Sequence, residues 1–365
     1  MIIRSRAPLR IGFAGGGTDL ESYSNKFGGN VLNVTIEMYA YCTIIPTNDG
    51  RIKIISYDNK HDLDVKMTPK LELDGDNLIL HRGVYNRIVK DYNGGKPLSF
   101  IMSTSNDAPI GSGLGTSSTM VVAILEAFNR WLSLGLDEYQ KAKLAYEIER
   151  IDLGLAGGKQ DQYASVFGGL NFMEFKKNDD AWNDPDGVGK FTNTIVNPLR
   201  LNKNVINEME CSLLLYYSGT SRKSATQQLE LAKNIIEDQI SNTESKNTQT
   251  IDAMRAIKAN SYAMKDNILT GNMAAFAEAL RKGWEEKKKT SSIVSNKDLE
   301  TTINFVLSNG AEAVKVSGAG GGGFLLMYCN PMNRQKLIYA LDSLPGKVYP
   351  VSFSWDGAQS WIIEG

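Results

Sequence analysis

Between Asp107 and Ser118 the chain reads Asp-Ala-Pro-Ile-Gly-Ser-Gly-Leu-Gly-Thr-Ser-Ser and runs without a break into an apolar helical pattern. Glycines at 111, 113 and 115 let the backbone turn sharply and approach a ligand closely, because none carries a Cβ. Val121, Val122, Leu125, Phe128 and Leu132 follow the 3.6-residue period. They predict a helix over 117–132, with Thr116 or Ser117 as its N-cap. The first turn of such a helix presents unpaired N–H groups and the positive end of its dipole to the mouth of the loop. That suits an anion such as the phosphates of a nucleotide. Hydroxyls at Thr116, Ser117 and Ser118 can add hydrogen bonds, and one can ligate Mg²⁺. The competing reading is an ordinary capped strand-to-helix turn, yet a cap needs one hydroxyl, not three behind three glycines.

Two better-known phosphate loops are excluded. A Walker A loop needs a lysine just before its hydroxyl residue, and none stands there. The lone GxGxxG match, Gly318 to Gly323, leads into strand-like Phe324-Leu-Leu-Met-Tyr, whereas a dinucleotide fingerprint must open a helix. This second glycine run, Lys315-Val-Ser-Gly-Ala-Gly-Gly-Gly-Gly323, reads as a loop between two strands. With almost no side chain, it can lie against another loop or a phosphate.

A third run, Ala7-Pro8-Leu9-Arg10 through Gly15-Gly16-Gly17-Thr18-Asp19, can deliver a cation and a carboxylate to one cleft. Farther on, Glu149 closes a helical segment, and Asp161 follows the turn Gly157-Gly158. Phosphoryl transfer needs a metal ligand and a carboxylate that orients or deprotonates the attacking hydroxyl. Glu149 and Asp161 are candidates for these tasks, although taken singly each also reads as an exposed acid.

Strand-like segments lie at 31–36, 39–45, 51–57, 98–103, 212–217, 313–317, 324–329 and 348–353. Helical ones lie at 77–91, 117–132, 137–152, 225–240, 250–269 and 273–289. Strands on both sides of helices, without a steady βαβ rhythm, predict an α+β fold rather than one doubly wound sheet. A polar stretch at 176–190 reads as a long loop. It places a domain boundary near Pro198, giving 1–197 and 198–365.

Composition narrows the chemistry. With 40 Lys+Arg against 41 Asp+Glu the formal charge is -1, which offers no global attraction to nucleic acid or anionic lipid. The run Lys287-Lys288-Lys289 reads mostly as a solvated helix end. The opening MIIRSRAPLR lacks a signal-peptide core, and no run reaches the ~18 apolar residues of a membrane span. Three scattered cysteines fit reduced core thiols, so a cytoplasmic protein is expected. Two histidines are too few for a His-based zinc site or a Ser-His-Asp triad. Carboxylates, hydroxyls, backbone amides and cations must do the work.

Taken together, the three glycine motifs resemble those of the GHMP kinases, named for galactokinase, homoserine kinase, mevalonate kinase and phosphomevalonate kinase. Pro8 to Asp19 looks like their first motif. Pro109 to Ser118 looks like the phosphate motif P-x3-G-L-G-S-S, with Thr116 for its first serine, and Lys315 to Gly323 looks like the third. The resemblance spans nearly the whole chain. It implies a two-domain α+β fold with ATP and substrate in the cleft between the domains.

It also implies roles. Ser118 and Glu149 would hold Mg²⁺, Asp161 would be the catalytic carboxylate, and Arg10 its supporting cation. ATP would lie on Pro109, Gly111, Ser112, Gly113, Leu114, Gly115, Thr116, Ser117 and Ser118. Substrate would meet Gly15, Gly16, Gly17, Thr18, Asp19, Gly158, Gly320 and Gly321. Gly16 and Gly17 replace the Glu-His pair of galactokinase, so galactose recognition does not carry across directly. The first motif, with Gly157-Gly-Lys-Gln-Asp-Gln-Tyr163, is similar to the bacterial D-glycero-D-manno-heptose 7-phosphate kinases, which phosphorylate the anomeric hydroxyl. Fucokinase-like domains share much of it, so another hexose 1-kinase stays open, as does a non-catalytic ATP/sugar sensor. A distal phosphate on the acceptor needs a cation, for which Arg222, Lys223, Lys287 and Lys288 are candidates.

Overall fold

The computed structural model describes residues 1–74, 78–177, 194–219, 224–241 and 249–364. Most of the loop expected at 176–190, and the candidate cations Arg222 and Lys223, lie outside the described residues.

The described residues form two sheets. The larger contains β1 (Ile2–Ala14), β2 (Gly29–Pro46), β3 (Arg51–Ser56), β4 (His61–Lys66), β5 (Phe100–Asn106), β6 (Leu170–Phe175), β7 (Thr194–Pro198) and β12 (Gln359–Ile363). Its main path runs β12-β1-β2-β5-β3-β4. Pairing is antiparallel except between β3 and β5. The strands expected at 31–36 and 39–45 are one long strand, β2. Its first half pairs with β6 and its second half with β5.

The smaller sheet runs β11-β8-β10-β9 and is antiparallel throughout. It contains β8 (Leu213–Tyr217), β9 (Ala311–Val316), β10 (Phe324–Cys329) and β11 (Lys347–Pro350). β10 is buried at every residue. Its unbroken apolar run therefore fits a strand covered on both faces.

Helices pack around these sheets. In chain order they are α1 (Glu21–Phe27), α2 (Ile79–Tyr92), α3 (Thr116–Leu132), α4 (Glu138–Tyr146), α5 (Gln160–Phe167), α6 (Lys203–Ser212), α7 (Ser224–Ser241), α8 (Gln249–Thr270), α9 (Met273–Lys288) and α10 (Lys297–Ser308). α11 (Pro331–Leu341) completes the set among the described residues. α2 and α3 cover one face of the large sheet, with Ile88, Val121, Leu125 and Phe128 fully or almost fully buried there.

β1 shows how the halves join. Its first residues alternate, with Ile3, Ser5 and Ala7 buried, as in a strand covered on one face. From Pro8 to Ile11 every residue is buried, and a register shift against β2 falls between Pro8 and Arg10. Leu9, Ile11 and Phe13 then enter a core shared with Leu213, Leu215, Phe324 and Leu326 of the small sheet and with Phe276 and Leu280 of α9. The same shift leaves Arg10 buried in the cleft. The far face of the small sheet packs on α10 and α11 through Leu299, Val306 and Leu337.

The expected boundary at 197/198 falls one residue before the end of β7, where Pro198 still pairs with Asn171 of the large sheet, and the strands that follow belong to the small sheet as far as β11. Beyond it Phe353 bridges to Ile36, and β12 pairs with β1, so the last described segment returns to the large sheet.

Candidate active site

The glycine loop and α3 form the first wall. Gly111, Gly113 and Gly115 all have positive φ, at 74°, 87° and 79°. At Gly113 a Cβ would stand 2.4 Å from the Ser317 carbonyl oxygen, and at Gly318 it would stand 2.8 Å from that of Gly113. The two glycine loops thus touch backbone to backbone, a contact that only residues without a Cβ permit. The N-cap of α3 is Gly115 and no side chain caps it, contrary to the expectation for Thr116 or Ser117. The serines turn elsewhere: Ser117 Oγ donates to Glu149 Oε1 at 3.2 Å and Ser118 Oγ to Glu149 Oε2 at 2.6 Å. The first-turn N–H groups consequently keep no side-chain cap.

Glu149 reaches this wall through a local distortion. The helix expected at 137–152 is α4, opened by a capping box between Asp137 and Gln140, followed by a π-helical turn at Glu147–Asp152. One such turn rotates the residues beyond it, a device common at functional sites. Glu149 is only 1% exposed, and Gln162 Nε2 also donates to its Oε2 at 2.6 Å. Arg150, which sequence reasoning missed, forms an ion pair with Glu149 Oε1 at 3.2 Å and donates to Ser118 Oγ at 3.3 Å. No periodic signal could have found it, because the π turn breaks the helical count.

Asp161 opens α5 directly opposite. Arg10 donates from Nε to Asp161 Oδ1 at 2.7 Å, holds its Nη2 2.7 Å from the same oxygen, and donates from Nη1 to the Gly113 carbonyl at 2.7 Å. One guanidinium therefore ties the acid to the phosphate-loop backbone. Oδ2 accepts no hydrogen bond among the described residues, and a Cβ on Gly115 would lie 3.2 Å from it. A cavity of about 380 Å³ is lined by Arg10, Gly111, Gly113, Gly115, Thr116, Ser117, Ser118, Glu149, Arg150 and Asp161. Ile110, Thr116, Ser117 and Leu155 also line a neighbouring cavity of about 220 Å³, bounded by Ser56, Asp58, His81 and Asn106.

On the other side of the Arg10–Asp161 pair is a smaller cavity of about 40 Å³, lined by Gly16, Gly17, Asp19, Gly158, Gln160, Gln227, Gln228 and Lys287 among others. Asp19 is 2% exposed and accepts from Gly17 N at 3.0 Å and Gln160 N at 3.1 Å. A Cβ on Gly158 would collide with Asp19 Oδ2 at 1.8 Å, so that glycine makes room for the acid.

Not every expected residue lines the cleft. Gly15 and Thr18 brace the loop instead: Thr18 Oγ1 donates to the Gly15 and Asn30 carbonyls at 2.8 and 2.9 Å. Leu114 is wholly buried in the shared core. Ser112 is buried with its carbonyl accepting from Phe324 N at 2.9 Å, and Pro109 is exposed outside the cavity lining. In the third motif Gly318 and Ala319 line both cavities, whereas Gly320 and Gly321 pack behind them on Val294 and Gln227.

Two lysines stand at the site, Lys287, which is among the candidate cations, and Lys315, which is not. Lys287 Nζ donates to the Gly16 carbonyl at 3.1 Å, and burial pushes its pKa down to about 8 against the opposing pull of Asp19. Lys315 Nζ donates to the Gly12 and Phe13 carbonyls at 2.5 and 3.2 Å. Burial, with Lys287 and Arg10 nearby, lowers its pKa to about 7. Lys288 points elsewhere, to Glu285 and Glu300. No described helix is long and apolar enough to cross a membrane.

Comparison with known proteins agrees with this geometry. The GHMP kinases N terminal domain matches residues 77–169, and the GHMP kinases C terminal domain matches residues 264–346. The chain is 42% identical over 361 residues, 99% of both chains, to the D-glycero-alpha-D-manno-heptose 7-phosphate kinase of Campylobacter jejuni. It is 27% identical to an L-fucokinase/L-fucose-1-P guanylyltransferase of Bacteroides fragilis, over 89% of this chain and 34% of that one. Among solved structures, a D-glycero-D-manno-heptose 1-phosphate kinase from Bacteroides thetaiotaomicron superimposes with a TM-score of 0.80, at 43% identity and full coverage of both chains. Glycine loops in contact, an acid clamped by Arg10, and full-length identity at this level place the chain in the GHMP kinase family.

Proposed function

We propose that this protein uses Mg²⁺ and ATP to phosphorylate the anomeric hydroxyl of D-glycero-D-manno-heptose 7-phosphate, giving the 1,7-bisphosphate. The observation that carries the reading is the Arg10–Asp161 pair, which stands on the wall common to the large phosphate-loop cavity and the small Asp19 cavity. The full-length identity to a heptose 7-phosphate kinase supports the choice of sugar.

The wall fits the groups it would hold. Three first-turn residues of α3, Thr116, Ser117 and Ser118, face the large cavity and suit phosphate oxygens. The adjoining 220 Å³ cavity, with Met120, Leu80 and Leu155 beside Asn106 and Asp58, suits the nucleoside end. Mg²⁺ commonly takes one or two protein ligands and completes its shell with phosphate and water, and Ser118 Oγ with Glu149 offers such a set. Bound MgATP would supply the transferable phosphoryl group and part of the charge neutralisation.

This chain's residues do the rest. Asp161 presents Oδ2 to the acceptor hydroxyl, while Arg10 holds Oδ1 and fixes the carboxylate's rotation. Asp161 takes the proton as the acceptor oxygen attacks. Arg10 and the N–H groups of the glycine loop offset charge that grows on the transferred group. Asp19 accepts from sugar hydroxyls beside Gly158.

The test is an ADP-release assay with heptose 7-phosphate, the unphosphorylated heptose, fucose and galactose. Heptose 7-phosphate should exceed the others in kcat/KM by tenfold to several thousandfold, since each charge-assisted contact contributes roughly 1.5–3 kcal/mol. Equal values would favour a fucokinase-like enzyme, and no turnover of any sugar would favour a sensor.

A further inference from the structure

Lys287 is the one member of its lysine run that faces the cleft. Its ammonium lies against the Gly16–Gly17 loop, 3.1 Å from the point where a Cβ on Gly17 would stand. Leu231 and Met254 close the same spot at 3.1 and 3.4 Å, so any side chain at position 17 would displace the lysine or its neighbours. The double glycine thus keeps a small space open and a cation at its edge.

That cation is incompletely satisfied. An ammonium carries three donors, and among the described residues Lys287 gives one, to the Gly16 carbonyl. It has no carboxylate within ion-pair distance among the described residues. Asp19 acts on it through space, while its two oxygens accept from the backbone N–H groups of Gly17 and Gln160. A second polar group is unsatisfied beside it. Gln227 is 5% exposed, lines the same cavity, and has an Oε1 with no hydrogen-bond partner. Its amide can present either end by flipping.

The cavity of about 40 Å³ leaves room for a small polar group, and a cation and an amide stand at its edge.

We propose that Lys287, with the Gln227 amide, receives the distal phosphate of the acceptor sugar in the space left by Gly16 and Gly17, making it the specificity-determining cation. The proposal rests on the reading of the acceptor as a sugar phosphate and names the residue that reads the phosphate.

The experiment compares kcat/KM for heptose 7-phosphate and for the same heptose without phosphate in the wild type, Lys287→Met, Lys287→Arg and Gln227→Glu. The ratio of the two should fall by roughly tenfold to a hundredfold in Lys287→Met, chiefly through KM for the phosphorylated sugar. Lys287→Arg should recover part of it. Gln227→Glu, which keeps the size of the side chain and adds a negative charge, should also lower the ratio. It serves as the test should Lys287→Met fold poorly. A wild-type preference that survives in both Lys287→Met and Gln227→Glu overturns this assignment and leaves the sugar-phosphate reading standing. A wild type without any preference for the phosphorylated sugar overturns both.

Discussion

The two sides of the cleft are built differently. On one side of the Arg10–Asp161 pair, the large cavity is lined mainly by a contiguous segment, Gly111 to Ser118, shaped by three glycines with positive φ. On the other side of the Arg10–Asp161 pair, the small cavity is lined by side chains from distant segments: Asp19 after β1, Gln160 at α5, Gln227 on α7 and Lys287 on α9. A backbone cradle depends on conformation and can be swapped between substrates that all carry phosphates. A side-chain cradle can be retuned residue by residue, so one fold can serve many acceptors. Mutations should therefore separate into those that harm transfer in general and those that alter the choice of acceptor.

The largest effect is expected where the sides meet. Asp161→Ala should lower kcat by roughly 10²–10⁴-fold, with ATP affinity nearly unchanged in a binding titration. Near-normal turnover would remove Asp161 from proton transfer. On the nucleotide side, Ser118→Ala and Glu149→Gln should each raise the Mg²⁺ concentration needed for half-maximal activity by about tenfold. An unchanged Mg²⁺ titration in both would break the ligand assignment. Gly113→Ala should cost stability as well as activity. Its left-handed backbone alone costs about 1–2 kcal/mol, and the new Cβ meets the Ser317 carbonyl at 2.4 Å. A variant with wild-type Tm would show that the glycine loops can part freely.

The smallest effect concerns Lys315, which joins β9 to β1 under the cleft. Its pKa falls from 10.5 to about 7 on folding. Between those pH values the unfolded chain holds a proton that the folded chain has released, so this group's contribution to stability rises with pH across the window. Lys287 faces it, with Arg10 and Asp19 nearby, and titrates in the same direction. Melting curves at pH 7 and pH 10 should show the wild type gaining on Lys315→Met as pH rises. Parallel shifts in the two proteins would contradict this.

The same division decided what could be read from the sequence. The phosphate loop was legible because its requirement is local: glycines where φ is positive, hydroxyls one turn later, and an apolar helix behind. β10 was legible because its apolar run is only six residues long and is bounded by glycines before it and Asn330-Pro331 after it, which fits a buried strand rather than a helix. Glu149 was found, but Arg150 was not, since the π turn at Glu147–Asp152 alters the spacing on which helical reasoning depends. Lys287 did carry a signal. Phe276, Leu280 and Trp284 belong to the buried stripe of α9, and position 287, three residues beyond Trp284 and seven beyond Leu280, lies along it. Gly320 and Gly321 carried no such clue, because a run of glycines does not say which of its members faces the cleft and which lies on Val294. Thr18 looked like a ligand-binding hydroxyl, yet its bonds close the loop on Asn30, a contact between distant segments that local sequence does not encode.

The most direct test of the central claim is to identify the bond that is made. After incubation of the enzyme with MgATP and D-glycero-D-manno-heptose 7-phosphate, ³¹P NMR of the purified sugar product should show the original phosphate plus a second one coupled to the anomeric proton. ADP should accumulate in equal amount. A second phosphate on any other oxygen, or ADP release with no new sugar phosphate, would contradict it.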